Sequence, residues 1–108
     1  MGHIPDADEA SSRRGVAAYV GHRRAPSGDG LVPERVTHVA AGLHWEVNQV
    51  LDHWVHPDGM KARGSACVEA WKLRVTGPLP GQPRVNGEFV MTAKSYADRP
   101  YWWIRPEA

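Results

Sequence analysis

Apolar and polar residues alternate with a period of two through the middle of the chain, most clearly in Leu43–Val55, LHWEVNQVLDHWV. The odd positions Leu43, Trp45, Val47, Leu51 and Val55 are apolar, with Gln49 and His53 between them. The even positions His44, Glu46, Asn48 and Asp52 are polar, with Val50 and Trp54 between them. Alternation is what a half-buried strand needs, because successive side chains point to opposite faces. Leu43, Val47, Val50, Leu51 and Trp54 also recur at helical spacing. β-Branched and aromatic residues dominate the run, however, and a strand is predicted.

Upstream, Val36, His38 and Ala40 alternate with Arg35, Thr37 and Val39. Taking Ala41-Gly42 as a two-residue hairpin turn sets a register in which His38 faces Trp45, Val36 faces Val47 and Thr37 faces Glu46. One face is then mainly apolar and the other mainly polar across both strands. His38 is expected beside Trp45. Downstream, His56-Pro57-Asp58-Gly59 ends the strand with turn chemistry. Ser65–Thr76 is predicted to be a central strand, with Cys67, Trp71, Leu73 and Val75 on one side and Glu69 as the exception. Gly77–Pro83 carries three prolines and is expected to be a loop. Arg84–Lys94 follows as a strand, with Val85, Phe89, Met91 and Ala93 inward and a bulge or bend at Gly87. Tyr101–Arg105 is a short last strand, closed by Pro106. On it Trp102 and Trp103 face opposite ways.

The predicted fold is therefore mainly β, a small antiparallel barrel or strongly bent sheet of about five strands, SH3-like or OB-like. The domain spans residues 31–108. Residues 1–30, with two Arg-Arg pairs and a Ser/Gly/Pro stretch, read as a largely disordered N-terminal extension, mobile over Met1–Ser12 and Ala25–Gly30. Within it, only Gly15–Arg24 has the apolar content to add a short strand or a helical turn.

Charge and composition narrow the function classes. Thirteen basic residues against twelve acidic ones leave a net charge of +1 in 108 residues, which excludes a strongly basic polyelectrolyte binder. The single cysteine, Cys67, rules out an internal disulfide framework and fits a reducing, cytoplasmic setting. No apolar run approaches the ~20 residues of a membrane span. Five tryptophans, Trp45, Trp54, Trp71, Trp102 and Trp103, are the compositional oddity. Each supplies a large apolar area and one N–H that wants a partner.

Candidate chemistry is sparse. Zinc-protease, calcium-loop, nucleophile-elbow, phosphate-loop and dinucleotide signatures are all missing, so neither an enzyme nor a cofactor is expected. The weak metal candidates are His53, His56 and Asp52, which would serve a small metal-dependent enzyme. On a strand the two histidines point to opposite faces. Cys67 reads as a buried thiol, and Asp52 and Glu69 as partners of Lys72 or Arg74. What remains is an aromatic and basic set: Trp54, Lys72, Arg74, Arg84, Trp102, Trp103 and Arg105, with Lys94 and Arg99 as further cations. Aromatic rings stack unpaired bases or grip extended peptides, and cations hold a phosphate backbone. A non-enzymatic module binding protein or nucleic acid is expected. An edge strand over a thin core further predicts self-association into a homodimer.

The run Gly42-Leu43-His44-Trp45-Glu46-Val47, then Val50-Leu51-Asp52-His53-Trp54, closed by Tyr101-Trp102-Trp103-Ile104-Arg105, resembles a family of small bacterial β domains of unknown function. Some of these lie near error-prone DNA-repair polymerases. The resemblance implies a small β domain with an accessory role in DNA repair or mutagenesis, binding single-stranded DNA. It supplies no catalytic residues. The longer middle from Pro57 to Gly87 and the N-terminal extension depart from the family's pattern.

Overall fold

The structure, a computed structural model, describes residues 15–107. Six strands follow in chain order: β1 (Val16–Arg24), β2 (Leu31–His38), β3 (Leu43–Val55), β4 (Cys67–Leu79), β5 (Gln82–Tyr96) and β6 (Trp102–Pro106). One 3-10 turn, Gly59–Lys61, lies between β3 and β4. Each strand pairs antiparallel with the next, and β6 returns to β1, closing the barrel. The mainly β antiparallel barrel holds, with six strands in a plain meander where about five were expected. Because β1 and β6 pair with each other, neither terminal strand of the meander is left as a free edge.

The added strand is β1, and it corrects the boundary set at residue 31: the barrel already includes Val16. An isolated apolar patch such as Val16–Val20 cannot repay its ordering entropy, but this one is held from two sides. Val16, Ala17 and Ala18 pair with Ile104, Trp103 and Trp102, and Tyr19–Arg24 pair with β2. Ala18 is completely buried. Ala25–Gly30, expected to be mobile, forms the β1–β2 turn, in which Gly28 N–H donates to Ala25 O and Ala25 N–H to Gly30 O. Met1–Ser12 lies outside the described residues.

The β2–β3 hairpin differs in register from the two-residue turn. Val36 pairs with Trp45, Thr37 with His44 and His38 with Leu43. Val39–Gly42 forms a four-residue turn in which Gly42 N–H donates to Val39 O and Gly42 takes φ 66°, a conformation glycine alone adopts cheaply. The shift is by two residues, so the inward and outward faces are unchanged. His38, however, is no longer opposite Trp45.

Two bulges then reshape β3. Val47 pairs with Val75, Gln49 with Arg74, Val50 with Leu73, Asp52 with Lys72 and His53 with Trp71, which leaves Asn48 and Leu51 as inserted residues. Each insertion reverses the inward parity. The first brings Val50 into the core in place of Gln49, and the second returns the odd positions, so that His53 points inward. The two polar interruptions of the odd face thus have different causes.

Val36, Leu73, Val75 and Met91 are wholly buried at the centre. The Trp45 indole lies against Gly77 and donates its N–H to Pro78 O at 2.7 Å. The expected loop at Gly77–Pro83 is instead a ribbon. β4 runs to Leu79, β5 starts at Gln82, and only Pro80-Gly81 turns. Beyond Thr76 the two strands pair only with each other, so prolines there remove no ladder bond to a further strand. Gly87 pairs with Gly77 without a bulge; a Cβ there would lie 2.9 Å from the Leu79 side chain. Val85, expected inward, is exposed on this ribbon. No helix among the described residues is long and apolar enough to cross a membrane.

Candidate binding face

Residues paired across neighbouring strands share a face. Trp71, Leu73 and Val75 fill the core, so the alternate β4 positions Ala70, Lys72 and Arg74 point outward. Each starts a rung across the outer surface. Trp54, Ala70, Lys94 and Trp103 form one; Asp52, Lys72, Thr92 and Arg105 the next; Gln49, Arg74 and Val90 a third. Trp54, Lys72, Arg74, Trp103 and Arg105 are therefore brought together on the outside of β3–β6. Lys94 joins them. Its outward parity on β5 is readable from Phe89, Met91 and Ala93, and the pairing bears it out.

Trp102 and Arg84 do not belong to this face. Trp102 points inward, packs on the core and pairs with Ala18, because it has the opposite parity to Trp103. Arg84 is exposed on the β4–β5 ribbon, before β5 reaches β6.

Trp54 and Trp103 are half-buried against a small outer cluster of Cys67, Ala70 and Tyr96. The Arg99 guanidinium sits 5.0 Å from the Tyr96 ring centre and 5.3 Å from that of Trp103. The Trp103 N–H is buried with no hydrogen-bond partner among the described residues. Lys72 pairs with Glu107 at 3.4 Å and Arg74 with Glu88 at 3.9 Å, all four side chains being well exposed. Such pairs are worth about 0–1 kcal/mol and yield to a stronger anion.

The metal candidates do not converge. His53 points into the barrel end, with Nε2 2.8 Å from Glu69 Oε2 and its ring stacked on Trp71 at 3.5 Å and 6°. His56 accepts the Asp58 N–H on Nδ1 at 3.0 Å and meets Trp54 edge-on. Asp52 lies on the outer face, where Oδ1 accepts the His53 backbone N–H at 2.9 Å. Among the described residues no group of three or more His, Cys, Asp or Glu side chains is placed to hold a metal ion. Asp52 and Glu69 face opposite sides of the sheet and form no carboxylate pair. Glu69 engages His53 rather than Lys72 or Arg74, which accounts for a carboxylate on the inward side of β4. No pattern in the sequence announced this pair, because the bulges in β3 set its register. Cys67 is buried, as expected of a structural thiol.

No known protein family matches the chain, and no significant match is found among curated proteins or solved structures.

Proposed function

We propose that this chain is a non-enzymatic binding module that holds single-stranded nucleic acid on the outer face of β3–β6. One observation carries the reading: two half-buried indoles, Trp54 and Trp103, end a rung that carries Lys94, with Lys72 and Arg105 on the next rung and Arg74 on the third. Proteins that hold single strands without reading sequence combine these two elements, aromatic platforms for bases and cations along the backbone. Phosphates would replace Glu107 on Lys72 and Glu88 on Arg74, at little cost because both pairs are exposed. The resemblance to domains near DNA-repair polymerases points the same way, toward an accessory role on damaged or replicating DNA. The lone cysteine supports a cytoplasmic location.

A protein partner is the second reading. It is favoured by the net charge of +1, which gives little long-range attraction to a polyanion. Titrating a fluorescently labelled oligothymidylate separates the two. The proposal expects saturable binding that weakens about five-fold or more in Trp54→Ala, and again in Lys72→Ala/Arg74→Ala, with the circular dichroism spectrum unchanged. Absence of saturable binding at low salt would sink it.

A further inference from the structure

The outer surface does not stop at β6. Trp103 pairs with Ala17 on β1, and two residues along each strand lie Tyr101 and Tyr19. These two rings meet edge to face at 5.0 Å and 75°. Just past them the barrel wall opens. Pairing of β1 with β2 ends at Tyr19 and Thr37, because Val16–Ala18 turn to β6 while β2 stops at His38. An open pocket of about 440 Å³ lies between β1 and the β2–β3 turn, with Val16, Val39 and Ala40 in its walls and Tyr19, Tyr101 and His38 as its polar side chains. That volume lies within the usual ~300–1,000 Å³ of small-ligand sites.

The chemistry of the walls restricts the occupant. Among the described residues, no carboxylate, ammonium or guanidinium lines the pocket. Val16, Tyr19, Val39 and Tyr101 are among the few large hydrophobic residues that the fold leaves exposed. Apolar walls with phenols and an imidazole suit a flat, neutral ring that both stacks and hydrogen-bonds. A strand crossing Trp103 toward β1 carries such a ring on every nucleotide.

We propose that this pocket receives one unstacked base of the strand bound on the outer face, an inference that rests on the nucleic-acid reading above. Phosphate contacts on β4–β6 position the strand, and the Tyr19/Tyr101 pocket takes a base at its end. Sequence reasoning missed the site because it allowed Gly15–Arg24 a short strand or helical turn but gave Tyr19 no neighbour, and Tyr101 reaches it only through the β1–β6 pairing.

The test uses the full chain, oligothymidylate, and an abasic oligonucleotide of the same length, followed by methyl NMR and by anisotropy. Val16 and Val39 methyl signals should shift with oligothymidylate, saturating together with signals on the outer face, and should stay still with the abasic strand. Ala40→Trp, at an exposed turn position, should fill the pocket and weaken oligothymidylate about ten-fold, leaving abasic affinity unchanged. Val39→Asn provides a second variant should the tryptophan disturb folding. If oligothymidylate binds while Val16 and Val39 do not move, or both variants bind normally, the pocket assignment fails and the outer-face reading stands. If neither strand binds, both fall. Val16 and Val39 signals that respond only to protein concentration would assign the pocket to a second copy of the chain and overturn the proposal.

Discussion

Gly77→Ala should open the barrel at the Trp45 end. A Cβ at this position would lie 2.6 Å from Trp45 Cδ1, 3.1 Å from Trp45 Cγ and 2.8 Å from the His44 carbonyl oxygen. Neither neighbour can yield cheaply. The carbonyl belongs to β3 next to the Glu46–Thr76 pair. The indole is held by its 2.7 Å bond to Pro78 O and by an edge contact with Phe89 at 6.4 Å. Overpacking of this kind costs about 1–3 kcal/mol. Displacing the indole forfeits a further ~0.5–1.5 kcal/mol from its hydrogen bond. Against this stands a gain of about 0.4–1 kcal/mol from the stiffer unfolded chain. A net loss of about 2–3 kcal/mol is expected. Urea denaturation followed by far-ultraviolet circular dichroism reads it directly. In a Trp45→Phe background the same substitution should cost about 1 kcal/mol less, since the smaller ring leaves room for the methyl. A loss below about 0.5 kcal/mol in the wild-type background would refute the claim that this contact closes the barrel end.

Other consequences follow from side chains away from the binding face. His53→Ala should cost more stability than Glu69→Ala, because it removes the stack on Trp71 as well as the polar contact, by about 0.5–1.5 kcal/mol in urea titrations; the reverse order would contradict the geometry. Tyr19 should ionise above its ordinary value of 10.0, because its hydrogen bond with Tyr101 and partial burial favour the neutral phenol. Its contribution to stability is then complete below the ordinary value and is lost as pH rises through the higher folded one. Tyrosinate absorbance should show a late-titrating component that Tyr101→Phe diminishes. Cys67, 6% exposed, should react with an aromatic disulfide at no more than about a hundredth of the unfolded chain's rate, and rapid labelling of the native protein would place it at the surface.

Alternation revealed the faces and left the register open. Leu73, Val75, Met91 and Ala93 were placed inward from parity alone, and parity also separated Trp102 from Trp103. The hairpin register was off by two residues because shifting a strand by a full period leaves its faces unchanged, and only the positive φ of Gly42 distinguishes the four-residue turn. A short strand or helical turn at Gly15–Arg24 was readable, but not that it closes the barrel, because its partner β6 lies more than eighty residues away in the chain. The prolines at 78 and 83 looked like loop residues; the ribbon tolerates them because it has no further neighbours to bond. Much of the candidate face was legible, since outward parity on β4 and β5 follows from the core residues between. Which rings join which cations was not, because that depends on two bulges in β3 and on Trp103 alone of the indole pair facing out.

The most direct test of the binding face is the salt dependence of oligothymidylate affinity, measured by anisotropy on the intact chain. Four cations engaging phosphates, Lys72, Arg74, Lys94 and Arg105, predict that the logarithm of the association constant falls with the logarithm of salt concentration at a slope of about −3. Lys72→Ala/Arg74→Ala should bring the slope to about −1.5. A slope near zero, or a double variant that keeps the full slope, would contradict the account.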